Sequence, residues 1–222
     1  MINFIFDFDS TLVKTESLND IINLSLNNDK EKMEEIDNIT KMGMEGIITF
    51  KESLERRLNL SIITKNMIEN ITNKITKDIT DGMLEFIFKL KQYKNVNIFI
   101  VSGGFTEMII PTANILGIPD KNIFANKFIL SNEKVIGVED SLLLQQSGKA
   151  HLIKWAKENK IMTGTTIMIG DGYTDLETFL EGAVDYHIYF AGVINRDNVK
   201  NKSNLIANNI QELEKLCIDF IK

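Results

Sequence analysis

Short apolar runs that alternate with helical patterns restrict this chain to a small set of folds. Four runs rich in β-branched and aromatic residues lie at positions 2–6, 96–101, 165–169 and 184–190. Such runs are typical of buried strands, and apolar residues at helical spacing fill most of the segments between them. Strands that alternate with helices predict a parallel sheet covered on both faces. We therefore predict an α/β fold with a Rossmann-like parallel sheet as its core.

Residues 14–78 interrupt this alternation. Four apolar stripes at helical spacing begin at Leu18, Met33, Phe50 and Met67, and asparagine, aspartate and glycine residues separate the first three. The pattern predicts a bundle of four short helices inserted after the first strand. The expected organisation is therefore a core domain of residues 1–13 and 79–222, and a helical cap domain of residues 14–78.

The remaining residues predict further elements in the core. We expect helices at 83–94 and at about 147–160, and a helix that Ser102-Gly103-Gly104 opens and that ends at Leu116. Short strands are expected between 122 and 140, with turns at 131–132 and at Gly137. A loop over 170–175, a helix, a strand near 184–190, a short helix, an apolar segment at 205–207 and a closing helix complete the prediction.

Composition excludes several classes of protein. The chain has 222 residues and a net charge of −6 without a block of basic residues, which argues against binding to nucleic acid. Its apolar runs are shorter than the roughly 20 residues that span a bilayer, so we expect no membrane association. A single cysteine excludes an internal disulfide and suits a reducing compartment. We expect no signal peptide before the first strand and therefore a cytoplasmic protein. We also expect either a monomer or a homodimer.

Carboxylates follow two of the predicted strands, at the edge where α/β folds bind ligands. Asp7 and Asp9 follow the first strand, and residues i and i+2 of an extended chain project to the same side. Two like charges so close are costly unless a cation or a shared proton relieves them. Asp171 and Asp175 follow a later strand. Capping of turns and helices remains the alternative explanation for each pair.

A hydroxyl, a glycine pair and a lysine belong to the same pattern. Ser102-Gly103-Gly104 follows the second strand; at the start of a helix its free N–H groups would suit a phosphate, although a plain turn is an equal alternative. Lys149 lies in the first turn of a predicted helix. Most lysines in such positions are solvated, but a cation is unfavourable at that end of a helix dipole, which indicates an anionic neighbour.

These residues together resemble the four signatures of the haloacid dehalogenase (HAD) superfamily of phosphatases. The signatures stand in the expected order: Asp7-Phe8-Asp9-Ser10-Thr11, Ser102-Gly103-Gly104-Phe105, Lys149, and Gly170-Asp171-Gly172-Tyr173-Thr174-Asp175. The chain is similar over essentially its whole length to the phosphoserine phosphatase family within it. The residues that extend the resemblance are Leu12-Val13, Glu16, Met44-Glu45-Gly46, Phe50, Arg56-Arg57, Asp81-Gly82 and Ile123-Phe124-Ala125-Asn126. Tyr173 departs from the small residue that relatives often carry, and Thr174 from the asparagine of some members.

The resemblance implies the HAD fold and a set of chemical roles. Asp7 would attack phosphorus to form an aspartyl-phosphate, and Asp9 would act as general acid and then general base. Lys149, with Ser102 and the backbone of Gly103 and Gly104, would hold the phosphoryl oxygens.

The resemblance also implies a Mg²⁺ cofactor. The ion would be bound by Asp7, Asp171 and the backbone carbonyl of Asp9, with Asp175 supporting the ligands from behind. Charge counting supports a metal independently of the family. Four carboxylates and a substrate phosphate of about −1.5 to −2 exceed what Lys149 alone can compensate.

The resemblance further implies that the substrate is O-phospho-L-serine, in serine biosynthesis, with Glu16, Met44, Phe50, Arg57 and Thr174 as binding residues. Arg57 lies seven residues after Phe50, so helical periodicity places the two on one face, about 20° apart, while Arg56 points about 120° away. An arginine on an apolar face suggests a carboxylate partner, and Glu16 suits an ammonium group.

Three other functions remain open. The chain could hydrolyse another small phosphomonoester, or transfer the phosphoryl group to a different alcohol. A receiver-type signalling module also phosphorylates an aspartate beside Mg²⁺, but it needs only about half this length and has no helical insertion after its first strand. Asp9, as an acid/base, would also shorten the life of a phosphoryl signal.

Overall fold

The computed structural model describes residues 1–27, 29–44 and 47–222, apart from the side chains of Lys41, Gly43 and Met44. In this part of the chain, six strands form one parallel sheet. They are β1 (Ile2–Phe6), β2 (Val96–Phe105), β3 (Ile123–Asn126), β6 (Thr165–Gly170), β7 (Tyr186–Phe190) and β8 (Leu205–Ala207). Their order is β3-β2-β1-β6-β7-β8, and β4 (Phe128–Ser131) pairs with β5 (Lys134–Val138) in a separate antiparallel hairpin.

The first strand lies at the centre of the sheet. All five residues of β1 are buried, and Phe4 pairs with Ile98 of β2 on one side and with Ile167 of β6 on the other. The chain builds the sheet outward from β1 in one direction and then in the other, so a topological switch point lies between β1 and β6. Ligands of open α/β sheets bind in the crevice at such a point.

Helices cover both faces of the sheet, which confirms the predicted α/β class. Those that follow the insertion are α5 (Met83–Leu90), α6 (Thr106–Ile115), α7 (Gly148–Glu158), α8 (Tyr173–Leu180), α9 (Asp197–Lys200) and α10 (Ile210–Ile221). Phe86, Met108 and Leu213 pack in one apolar cluster, and Ile153 packs with Met168 in a second. Because β1 alternates its side chains between the faces, Phe4 joins the first cluster and Ile5 the second.

The segment between β1 and α5 is helical, as the four apolar stripes predict. In the described residues it contains α1 (Ser17–Leu26), α2 (Lys30–Met44), α3 (Phe50–Leu60) and α4 (Lys65–Ile75). Thr49 and Thr64 cap α3 and α4 by accepting hydrogen bonds from backbone N–H groups in the first turn. The two ends of the segment meet where Val13 forms an antiparallel bridge with Ile79.

Two boundaries around the second strand differ from the prediction. Residues 102–105 extend β2, and α6 begins only at Thr106, because Phe105 pairs with Asn126 of β3 after an irregularity in register. The glycines therefore do not open a helix. The helix before β2, α5, ends at Leu90 and not at residue 94 as predicted. By residue 95 the chain already belongs to the edge of the sheet, where the Asn95 carbonyl accepts a hydrogen bond from the N–H of Ile2.

The turn predicted at 131–132 is confirmed to within one residue, whereas the turn predicted at Gly137 was wrong and the loop predicted at 170–175 is too long. Gly137 lies within β5 opposite Ile129, and the turn of the hairpin is made by Asn132 and Glu133, both with positive φ. The predicted loop at 170–175 is shorter, because α8 already begins at Tyr173. No helix in the described residues is long and apolar enough to cross a membrane.

Candidate active site

Asp7 stands at the carboxyl end of β1, where the sheet still holds its backbone. Its N–H donates to the Ile169 carbonyl of β6 (2.9 Å), and its Oδ1 accepts from the N–H of Phe8 (2.8 Å). The chain then enters a tight helical turn over Phe8–Leu12, within which Asp9 and Ser10 have non-helical backbone angles. This turn changes the direction of the chain directly after the strand, so that Asp7 and Asp9 approach the switch point from one short segment.

Lys149 joins two of the predicted carboxylates. Its Nζ lies 2.8 Å from Asp7 Oδ1 and 2.7 Å from Asp175 Oδ1, and its side chain is only 8% exposed. The preceding residue, Gly148, packs directly against the chain before α7, since a Cβ there would lie 2.6 Å from the Leu142 carbonyl oxygen. Burial alone lowers the pKa of Lys149, but the carboxylates of Asp175 and Asp7 outweigh it and raise the pKa above its usual value. Lys149 is therefore a charged ammonium group inside the site.

A cluster of three carboxylates could hold a metal ion. Asp7, Asp171 and Asp175 each offer one oxygen, and these oxygens lie within 4.8 Å of one another. Burial raises the pKa of Asp7 to about 6, with a further contribution from Asp175. Burial and the charge of Asp7 raise the pKa of Asp171 to about 6 as well. A divalent cation would relieve this repulsion, and a set of carboxylate oxygens suits a hard ion.

Asp175 accepts hydrogen bonds on both of its carboxylate oxygens. Its Oδ1 accepts from Lys149 and its Oδ2 accepts from the N–H of Gly172 (2.9 Å), and burial raises the pKa of its carboxyl. A side chain at Gly170 would lie 2.2 Å from Asp175 Oδ2, so only glycine fits at the end of β6. Both oxygens thus have donors already, an arrangement compatible with the supporting role expected for Asp175.

The Ser102–Gly104 segment faces these acids from the end of β2. The N–H of Gly104 donates to Ser102 Oγ (3.0 Å), and the Gly103 carbonyl accepts from the side chain of Asn126 (2.9 Å). A Cβ at Gly104 would lie 3.6 Å from Asp9 Oδ2. The predicted phosphate-binding residues and Asp9 are therefore neighbours, even though no helix begins at Ser102.

Asp9 is bound by the first residue of α1. The N–H of Ser17 donates to Asp9 Oδ1 (3.0 Å) and its hydroxyl donates to Oδ2 (2.9 Å). Burial raises the pKa of Asp9 to about 8; the N–H of Ser17 counteracts burial, and the charges of Asp7 and Glu16 add to it. A carboxyl group whose pKa is near neutrality can both give and take a proton at physiological pH.

The two arginines of α3 differ as the helical register predicts. Arg57 is 6% exposed and its Nε donates to the Ser53 carbonyl (3.2 Å) of its own helix, whereas Arg56 is exposed and pairs with Glu52. Burial lowers the pKa of Arg57. Phe50, at the start of the same helix, brings its ring to 3.6 Å from the position that a Cβ on Gly103 would take. The helix thus brings an aromatic ring close to the phosphate-binding segment and carries a buried cation about two turns further along.

Comparison with known proteins decides the family. The family model described as haloacid dehalogenase-like hydrolase matches residues 4–179. The chain belongs to this family. It is 31% identical over 210 residues to the chloroplastic phosphoserine phosphatase of Arabidopsis thaliana, which covers 94% of this chain and 69% of that protein. The resemblance to phosphoserine phosphatases inferred from the signatures is therefore confirmed.

Solved structures support the same assignment. A phosphoserine phosphohydrolase-like protein from Francisella tularensis has a TM-score of 0.85 and 38% identity, over 97% of this chain and 99% of that one. A phosphoserine phosphatase structure that represents a phospho-aspartyl intermediate analogue has a TM-score of 0.76 and 30% identity, over 96% and 97%. The predicted HAD fold is thus confirmed.

Arg196 is a residue that the sequence analysis missed. Its Nε lies 2.7 Å from Asp171 Oδ2 and its Nη2 lies 3.2 Å from Glu16 Oε1, while Glu16 also accepts from the Ser10 hydroxyl (2.7 Å). Arg196 partly offsets the rise in the pKa of Asp171. It lies beyond the part of the chain that the haloacid dehalogenase-like model matches. Its only signal in the sequence is its place shortly after the predicted strand at 184–190, where the carboxyl-end rule points to ligand contacts.

The remaining predicted residues have less defined surroundings. The side chain of Met44 lies outside the described residues. Thr174 is exposed in the first turn of α8, with its hydroxyl 3.6 Å from where a Cβ on Gly172 would lie. Tyr173 is 50% exposed, and the ammonium group of Lys202 lies 5.6 Å from its ring centroid. The tyrosine that departs from the family pattern therefore packs against a surface lysine.

Proposed function

We propose that this protein hydrolyses O-phospho-L-serine to L-serine and phosphate, using Mg²⁺ and an aspartyl-phosphate formed on Asp7. The observation that carries the proposal is the buried ion pair of Lys149 with Asp7 and Asp175, within a carboxylate cluster at the switch point of the sheet. The similarity to phosphoserine phosphatases over 94% of the chain supports the choice of substrate. We further propose that the reaction takes place in the cytoplasm and contributes to serine biosynthesis.

Asp7 would be the nucleophile, and its contacts select the attacking oxygen. Lys149 and the N–H of Phe8 both bind Oδ1, so Oδ2 is the oxygen that these donors leave for attack on phosphorus. A bond forms from Asp7 Oδ2 to phosphorus as the bond from phosphorus to the serine oxygen breaks. Mg²⁺, if bound by Asp7, Asp171 and the Asp9 backbone carbonyl, would neutralise negative charge on the phosphoryl group.

Asp9 would transfer a proton in both halves of the reaction. It gives a proton to the departing serine oxygen, which leaves as the neutral hydroxyl of L-serine. It then takes a proton from the water that attacks phosphorus, which releases phosphate and restores the Asp7 carboxylate. Ser102 and the backbone of Gly103 and Gly104, together with Lys149, would hold the remaining phosphoryl oxygens.

Residues 14–78 would act as a cap that recognises the serine moiety and excludes water from the phosphoenzyme. We propose that Arg57 binds the substrate carboxylate, because its buried guanidinium donates only to a helix carbonyl among the described residues. Glu16 would receive the ammonium group. Phe50, Met44 and Thr174 would line the space between these charges.

A phosphate-release assay tests the proposal. O-phospho-L-serine, phosphothreonine, phosphoethanolamine and glycerol phosphate would each be supplied with Mg²⁺ and with excess EDTA. We expect repeated turnover, the highest kcat/KM for phosphoserine, and loss of activity in EDTA. A higher kcat/KM for another of these esters would show that this ester, and not phosphoserine, is the preferred substrate. Transfer of the phosphoryl group to an added alcohol without phosphate release would indicate a phosphotransferase. One stoichiometric labelling of the protein without turnover would indicate a signalling module.

A further inference from the structure

Ser17 binds the acid/base carboxylate with two chemically different donors. Its backbone N–H reaches Asp9 Oδ1 at 3.0 Å, and its hydroxyl reaches Oδ2 at 2.9 Å. Ser17 is fully buried as the first residue of α1. It lies outside the four signatures that identify the phosphoryl-transfer residues, so neither the motifs nor the roles derived above assign it a function.

The two donors are not equivalent once Asp9 carries a proton. A backbone N–H can only donate, whereas a hydroxyl can donate or accept after it rotates. Oδ1 is therefore an acceptor in both protonation states of Asp9. A neutral Asp9 can keep both contacts only if its proton is on Oδ2, where the Ser17 hydroxyl can turn to accept it.

Oδ2 is also the oxygen on the side of the substrate site. It lies 3.6 Å from the position of a Cβ on Gly104, in the segment proposed to hold the phosphoryl group. The other oxygen, Oδ1, is held away from this position by its hydrogen bond from the Ser17 N–H. When Asp9 is protonated, the proton-carrying oxygen therefore cannot take the place of Oδ1, because two donors would then face each other and the hydrogen bond from the Ser17 N–H would be lost.

We propose that Ser17 is a positioning residue that holds the proton-carrying oxygen of Asp9, Oδ2, toward the departing serine oxygen. This inference rests on the phosphatase function proposed above and adds a residue to it. When the bond from phosphorus to the serine oxygen breaks, the proton on Oδ2 turns from the Ser17 hydroxyl to the leaving oxygen and passes to it, and the Ser17 hydroxyl then turns and donates to the new carboxylate. When water attacks the phosphoenzyme, Oδ2 takes a proton from it and the hydroxyl turns back. No atom of Ser17 forms or breaks a covalent bond.

The position of Ser17 also ties the acid/base to the helical segment. Ser17 is the first residue of α1, and α1 packs against α4 and α2 through buried residues such as Ile21 and Ile22. A shift of these helices moves the two donors that orient Asp9.

The test compares Ser17→Ala, Ser17→Thr and the matched control Ser25→Ala. Ser25 lies in the last turn of the same helix, and its hydroxyl donates to the Ile22 carbonyl (2.7 Å), away from the site. The alanine at position 17 keeps the N–H and loses only the hydroxyl. We expect kcat for phosphoserine to fall about ten-fold or more, the effect of losing a hydrogen bond to a charged group, with KM within about two-fold of wild type. Threonine should restore most of kcat, and Ser25→Ala should resemble wild type.

Rapid acid quenching of the reaction with ³²P-labelled phosphoserine gives a second readout. In Ser17→Ala we expect slower formation and slower decay of the labelled phosphoenzyme, because both steps use Asp9 Oδ2. An unchanged kcat, a rise in KM alone, or failure of threonine to restore kcat in a folded variant would overturn the proposal. If wild-type protein releases no phosphate from phosphoserine, the proposed function fails first, and that result is separate from any difference between the variants.

Discussion

Replacement of Arg57 separates recognition of phosphoserine from general phosphatase activity. The Arg57→Met variant keeps most of the buried aliphatic stem and removes the guanidinium, whereas Arg56→Met makes the same change on the exposed face of α3. Arg57 is 6% exposed and Arg56 pairs with Glu52 in solvent. The two variants therefore match in chemistry and differ in the direction of the side chain.

The size of the effect follows from the burial of the guanidinium. A hydrogen bond between charged groups contributes about 1.5–3 kcal/mol, which corresponds to roughly ten-fold to more than a hundred-fold in kcat/KM. We expect Arg57→Met to lose this much with phosphoserine, mainly through KM. Phosphoethanolamine has no carboxylate and should lose much less. Arg56→Met should behave like wild type with both substrates.

Stability supplies the control for this experiment. Arg57 is only 6% exposed, so its charge is poorly solvated in the folded protein, and this burial lowers its pKa. Removing a buried cation that has only its own helix carbonyl as a described acceptor should leave the unfolding temperature unchanged or higher. If Arg57→Met lowers kcat/KM equally for both substrates, Arg57 stabilises the helical segment and does not bind the substrate carboxylate. If Arg56→Met is the damaging variant, the direction assigned to these side chains is wrong.

Three other predictions address the carboxylate site. Asp7→Asn should abolish phosphate release while the protein stays folded by circular dichroism, because an amide cannot form the acyl phosphate; measurable turnover, after exclusion of deamidation, would contradict this. Arg196→Gln should lower kcat/KM for phosphoserine about ten-fold, since Glu16 and Asp171 lose a shared partner, and a wild-type value would show that these contacts do not matter for turnover. In EDTA, stability should fall by about 1 kcal/mol between pH 7 and pH 9, because folded Asp9 keeps its proton up to about pH 8 while an unfolded carboxyl has lost it. Urea titrations at both pH values should show this decrease in wild type and a smaller one in Asp9→Asn.

Local sequence was sufficient for much of this protein. A strand buried on both faces must be apolar throughout, so β1 could be recognised from five residues. Helices with one buried face repeat their apolar residues every three or four positions, and α1 to α4 could be found in the same way. The difference in burial between Arg56 and Arg57 follows from this periodicity alone. The signature residues and the family were also determined by the sequence, because short segments carry them.

Tertiary structure decided what depends on partners distant in the chain. Ser102 to Phe105 looked like the start of a helix, but pairing of Phe105 with Asn126 keeps these residues in β2. Arg196 meets Glu16 across 180 positions, and its place shortly after a predicted strand does not by itself identify Glu16 and Asp171 as its partners.

Ser17 illustrates the same limit at short range. Its contact with Asp9 depends on how the turn after β1 directs the chain into α1, and its polarity alone is typical of any residue near a helix start. The sequence by itself determined which segments are buried and which residues could do phosphate chemistry, since periodicity and residue type are local properties. The structure determined which donors orient those residues, because such contacts form only when the sheet brings the ends of separate strands and loops together.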